Sequence, residues 1–148
     1  MLKKICIPPV FVLLSLLLIV LFYFIIPKFN LIPFPFNLGG ILIAFLGFSI
    51  MGKSRDLFRK HKTTLDIEKS SSLITEGIFA RTRNPMYMGM FLLLLGFGIC
   101  FRNLLSILVP FVFAASIRIL FITAEERMLS ETFGQHYLDY KKRVRRWI

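Results

Sequence analysis

Five polar side chains stand where long apolar runs meet polar sequence. Arg83 and Asn84 come just before one run, and Arg118, Glu125 and Glu126 come near the end of the next. Ionisable groups at such positions are costly and often serve function. Arg118 and Glu125 are seven residues apart, so on a regular helix they share a face. Adjacent acids at a helix C-terminal end oppose the helix dipole. Something cationic must compensate them, either the nearby arginines or a positively charged ligand. The bland alternative is snorkelling and a structural Arg–Glu pair. Gly96 and Gly98, inside the same apolar run as Asn84, suit helix packing equally well. His61 and His136 read as solvated surface residues.

The elements that must position these groups are apolar helices. Hydrophobic residues make up 56% of the 148, and mean hydropathy is +0.72. Soluble domains sit near 45–50% apolar. The excess here lies in runs, which predicts an all-α integral membrane protein of one domain. Four spans are expected, at about 8–26, 36–51, 85–101 and 104–123. A polar loop over 53–83 separates the second from the third. Only Arg102 and Asn103 separate the last two, which predicts an antiparallel hairpin. Pro85 is a good first-turn residue for the third.

The net charge of +11 comes from 19 Lys and Arg against 8 Asp and Glu. The positive residues cluster beside the apolar runs, which favours an anionic membrane surface over nucleic acid. Sixteen fall in the N-terminus, the central loop and the tail. The two opposite connections hold Lys28 and Arg102 alone. By the positive-inside tendency, both termini and the loop are expected to be cytoplasmic. Cys6 and Cys100 would then lie on opposite faces, too far apart for a disulfide. No Cys–His spacing suggests zinc.

The tail over 126–148 has its own pattern. Leu129, Phe133, Tyr137, Tyr140, Val144 and Trp147 recur at spacings of three and four. This predicts a C-terminal amphipathic helix at the headgroup level. It could be a passive anchor, or it could fold back over a site.

The stretch Arg83-Asn84-Pro85-Met86-Tyr87-Met88-Gly89 resembles the Arg-His-Pro-x-Tyr-x-Gly motif of the isoprenylcysteine carboxyl methyltransferase family. The wider group includes the phospholipid N-methyltransferases. Upstream, Ser72 to Phe79 is similar to the family's Leu-Val-Thr-x-Gly-Pro-Tyr/Phe lead-in. Glu125-Glu126 resembles its paired glutamates. Phe133-Gly134, Tyr137, Tyr140 and Val144 to Trp147 resemble its ending. Four motifs in order span roughly Thr63 to Ile148, and the chain's brevity suits a short prokaryotic member. Asn84 departs from the usual histidine and cannot titrate. Ile78 stands where proline is common.

The resemblance implies a cytoplasmic pocket for S-adenosyl-L-methionine and methyl transfer to a lipophilic, membrane-borne acceptor. By matching position, Leu73, Ile74 and Phe79 would contact the adenosyl part. Asn84, Pro85, Met86 and Tyr87 would flank the cofactor, and Glu125 would pair with its α-ammonium group. Gly96 and Gly98 match a glycine motif of the phospholipid enzymes. Arg83 or Arg118 would orient an anionic acceptor, for which a carboxylate needs no base. An amine acceptor would need to lose a proton, with Glu126 as the candidate base. Three readings stay open: carboxyl O-methylation, phospholipid N-methylation, and a non-catalytic membrane protein that keeps the scaffold. Membrane lipids are the other expected partners, with neither nucleic acid nor metal.

Overall fold

A computed structural model describes residues 7–61 and 72–147. It is all-α. Helix α1 (Ile7–Ile25) leads through two 3₁₀ turns into α2 (Gly39–Lys60). A 3₁₀ turn at Gly77–Ala80 precedes α3 (Pro85–Cys100). Then come α4 (Leu104–Ile117), a π-helical turn (Arg118–Ile122) and α5 (Thr123–Arg143), which follow one another with no loop between them. Cys6, Lys3, Lys4, Lys62 and Lys69, which entered the charge and disulfide arguments, lie outside the described residues.

Small residues set the packing of α2 on α3. A Cβ added at Gly47 would meet the α3 backbone at Leu93 N, 2.6 Å away, and one at Gly89 would meet Met51 Cγ at 2.5 Å. At the other end Gly40 faces Gly96 and Cys100. The two helices therefore run antiparallel with backbones nearly touching, which only side chains this small allow. The α3–α4 hairpin forms as expected. Its tight turn puts Arg102 in the left-handed region (φ 63°).

Asn103 then ties the hairpin to α1. It is fully buried, and its Oδ1 accepts from Leu105 N and Ser106 N to cap α4. Its Nδ2 donates toward Phe22 O, Ile26 O and Asn30 Oδ1 at 2.8–3.1 Å. Ser106 Oγ adds a bond to Ile19 O. The core gathers Ile19, Tyr87, Leu94, Val109, Phe113, Ile117, Phe121 and Ile122 from α1, α3, α4 and the π turn. Most of the outer surface of α1 and α2 is exposed leucine, isoleucine and phenylalanine, as helices facing lipid require.

Three corrections follow. Among the described residues three helical stretches, not four, are long and apolar enough to span: Pro8–Ile25, Phe36–Lys60 and Leu104–Arg143. Helix α3 has 16 residues, roughly 24 Å at 1.5 Å per residue, against about 30 Å of hydrocarbon. The four-span expectation fails there. Second, α2 runs nine residues past Met51 to Lys60. Leu57 and Phe58 are half-buried there, and Phe58 packs edge-on against Phe79 at 5.5 Å. Third, the tail is not one regular amphipathic helix. Gly134 breaks it at φ 53°, and Val144 is extended, so Val144 and Trp147 lie beyond the helix. Tyr137 and Tyr140 are buried as the pattern predicted.

Candidate functional site

Four segments converge at one end of the bundle: the 3₁₀ lead-in, the start of α3, the start of α5 and the last residues of the tail. Pro85 opens α3 with its fixed φ, and two residues later Tyr87 is buried in the core. Its hydroxyl donates to Glu125 Oε1 at 2.6 Å. This bond joins the Arg-Asn-Pro-Met-Tyr stretch to the paired glutamates across 38 residues.

The lead-in is held from the tail. Gly77 makes the left-handed turn (φ 61°) that starts the 3₁₀ segment. Buried Phe79 then offers its carbonyl to the Tyr140 hydroxyl at 2.7 Å. Ile74 is buried and Leu73 half-buried. Outside the site, Glu76 accepts from Lys60 at 2.8 Å and contacts His61 at 3.0 Å. Those two bonds hold its carboxyl below the ordinary glutamate range.

Glu126 is the buried acid, with 6% exposure. Arg146 grips it with two donors, Nε at 2.9 Å and Nη2 at 2.7 Å. Lys141 Nζ approaches to 3.9 Å and Arg83 Nη1 to 3.3 Å. The Glu126 bonds in turn raise the Arg146 pKa above its ordinary value. The Arg83 side chain is 9% exposed. Its Nε is buried without a hydrogen-bond partner among the described residues, while Nη1 is held in the ion pair with Glu126. A buried guanidinium donor left unpaired is costly.

The structure brings together most of the residues expected from sequence. Leu73, Ile74, Phe79, Arg83, Asn84, Pro85, Met86, Tyr87, Glu125 and Glu126 all lie on these converging segments. Gly96 and Gly98 do not join them. They sit nine and eleven residues along α3 from Tyr87, roughly 14–16 Å away, where Gly96 faces α2 and Gly98 faces Ser106 of α4. Arg118 is exposed and makes no ion pair among the described residues. The π turn is the reason: it adds a residue to the turn, so a spacing of seven no longer means one face. Thr123 Oγ1 closes that turn on Arg118 O at 2.9 Å.

Thr82, Tyr140 and Arg146 were not singled out from sequence as parts of the site. Thr82 Oγ1 and Asn84 Nδ2 each donate to Arg146 O at 3.1 Å. Glu126 precedes a tail with six cations, and their spacing does not say which of them pairs with it. Among the described residues no cluster of His, Cys, Asp and Glu is placed to hold a metal.

A Schizosaccharomyces pombe protein-S-isoprenylcysteine O-methyltransferase is 36% identical over 76 residues, 51% of this chain and 32% of that one. An uncharacterised Haemophilus influenzae protein is 36% identical over 63 residues, 43% of this chain and the whole of that one. The solved structure of a eukaryotic intramembrane Ras methyltransferase, an isoprenylcysteine carboxyl methyltransferase, superposes with a TM-score of 0.65 at 26% identity. It covers 92% of this chain and 50% of that enzyme. The chain thus spans a third to a half of the methyltransferases it resembles. The sequence model of the phospholipid methyltransferase family matches residues 35–136, more than half the chain. This multi-pass membrane protein belongs to the phospholipid methyltransferase family.

Proposed function

We propose that this protein is an S-adenosyl-L-methionine-dependent methyltransferase acting on a lipophilic acceptor within the bilayer. The observation that carries the reading is the Tyr87–Glu125 bond, which unites two separate family motifs at one end of the bundle. The residues there fit the cofactor's charges. Glu125 offers a carboxylate for its α-ammonium group, and Arg83, whose Nη1 pairs with Glu126, keeps its buried Nε for an anion. Leu73, Ile74 and Phe79 would hold the adenosyl part, with Asn84, Pro85, Met86 and Tyr87 beside the methionyl part.

When bound, the cofactor supplies a methyl group already activated on sulfur. The protein's share is then position and electrostatics. Tyr87 fixes the Glu125 carboxylate. Arg83 orients the acceptor's anionic head, a role its burial suits better than exposed Arg118. The apolar helices exclude water. An ionised carboxylate acceptor needs no base at neutral pH, so carboxyl O-methylation is the favoured chemistry. The name of the matching family favours a second reading, N-methylation of a phospholipid amine. That route needs a proton acceptor, and Glu126 is engaged by Arg146. The site end carries Lys53, Arg55, Arg59, Lys60 and Arg81, while the other end holds Lys28 and Arg102. That asymmetry supports a cytoplasmic site.

Purified protein with methyl-tritiated S-adenosyl-L-methionine tests the reading. Base-labile label on a prenylated thioether carboxylate is the expected result. Label on phosphatidylethanolamine would replace it with the second reading. If neither lipid is labelled and S-adenosylhomocysteine leaves the melting temperature unchanged, the chain is a non-catalytic scaffold.

A further inference from the structure

The last residues of the chain are tied to the start of α3 by backbone rather than by apolar packing alone. Beyond Arg143 the helix ends, and Val144 is extended. Arg145 O accepts from Arg83 N at 3.0 Å. Arg146 O accepts from both Thr82 Oγ1 and Asn84 Nδ2. Three consecutive residues of the lead into α3 therefore bond to two consecutive carbonyls of the strap. Thr82 Oγ1 also accepts from Asn84 N at 3.3 Å, which sets the approach to Pro85. The strap itself is held at two points. Trp147 packs against the edge of the core, and Arg146 grips buried Glu126 with two parallel bonds.

We propose that Glu126 is a positioning residue, which with Arg146 forms a latch that fixes residues 82–84 through the strap. In this role Glu126 touches neither cofactor nor acceptor. It is the buried end of a two-point clasp, and Arg146 is the hook. A bidentate guanidinium–carboxylate pair fixes orientation as well as distance. The Arg146 carbonyl is thereby aimed at Thr82 and Asn84. Releasing the hook frees the strap and leaves α3 without its N-terminal partners, while the core from Ile19 to Ile122 keeps its contacts. The effect on ligand rests on the proposed function, whereas the effect on the backbone does not.

Hydrogen exchange of the purified full chain in detergent micelles tests the backbone effect, because a local opening exposes only the amides it releases. Loss of one charge-assisted pair should speed exchange at the Arg83 amide about tenfold in Arg146→Ala, with mid-α3 around Leu94 unchanged. Arg146→Lys, which keeps the charge and loses the fork, should fall between. Unchanged exchange at Arg83 overturns the latch. Equal acceleration at Leu94 also overturns it, since the whole bundle has then loosened.

The ligand effect is read from Kd and kcat. Glu126→Gln and Arg146→Ala should each weaken S-adenosylhomocysteine binding about tenfold. The double variant should be no worse than either single one, as for any coupled pair. Loss of kcat in Glu126→Gln alone, with Kd unchanged, would make Glu126 a base and overturn the proposal. If the wild-type chain binds no S-adenosylhomocysteine while Arg83 exchange responds as stated, the latch stands and the proposed function falls.

Discussion

Gly96→Ala separates a packing glycine from a ligand-binding one. A methyl group built at Gly96 would press on Gly40 O, and it would come within 2.5 Å of Ala44 N and 2.7 Å of Ala44 Cβ. Ordinary contact begins near 3.4 Å. None of these atoms can rotate away, so α2 must retreat by about 1 Å, enough to forfeit a quarter to a half of each contact's attraction along the seam. Overpacking of this kind costs about 3 kcal/mol at its upper end, and alanine's better helix propensity returns about 1, leaving about 2 kcal/mol of destabilisation. Gly52→Ala, in α2 itself, is the control. Nothing lies within 4 Å of its added methyl, so only the propensity gain of about 1 kcal/mol remains. Unfolding in mild detergent should therefore rank Gly52→Ala above wild type and Gly96→Ala below it. If Gly96→Ala unfolds like wild type but loses S-adenosylhomocysteine binding, the glycine serves the ligand and the packing argument fails.

Three other outcomes are expected. Asn103→Ala strips the α4 cap and the ties to α1, and should cost about 2–4 kcal/mol in the same unfolding assay; a loss under 1 would mean that water replaces those bonds. Tyr87→Phe removes the donor that fixes Glu125 and should weaken S-adenosylhomocysteine binding about tenfold by calorimetry; an unchanged Kd would detach Glu125 from the cofactor. The Glu76 carboxyl is lowered in the folded state by Lys60 and His61, so its contribution is present above the ordinary glutamate value and is lost as pH falls through the lowered one. Carbon NMR should place its midpoint below 4.5 and Lys60→Ala should move it back up, whereas a midpoint that ignores Lys60 would refute the contact.

The apolar runs were legible because each needs only its own composition. Pro85 marked a helix start, and Arg102-Asn103 was too short for anything but a hairpin. The inward positions of Tyr137 and Tyr140 followed from their spacing. What composition could not give was length against the bilayer. The run over 85–101 reads as a span, yet its ordered helix stops at Cys100 after 16 residues. The close approach of α2 to α3 was half legible. Gly96 suited helix packing, but its spacing did not say that Gly40 and Gly47 would face Gly96 and Gly89 while Gly39 faces open space. Glu126 and Arg146 were both visible as motif residues. Their pairing spans 20 residues and crosses the breaks at Gly134 and Val144, so no helical period connects them.

The π turn explains why Glu125 lies on the converging segments and Arg118 does not. On an unbroken α-helix a spacing of seven is two turns less about 20°, so the two residues would point the same way. An extra residue within Arg118–Ile122 turns everything after it by about 100° relative to everything before. Phe121 and Ile122 are carried into the core, Glu125 faces Tyr87, and Glu126 is buried where Arg146 can grip it. Arg118, on the near side of the turn, is left outside. Such turns are rare and recur at functional sites. Here one reorients two acids at once, so that the partner of Tyr87 and an anchor for the tail come from adjacent positions on one helix.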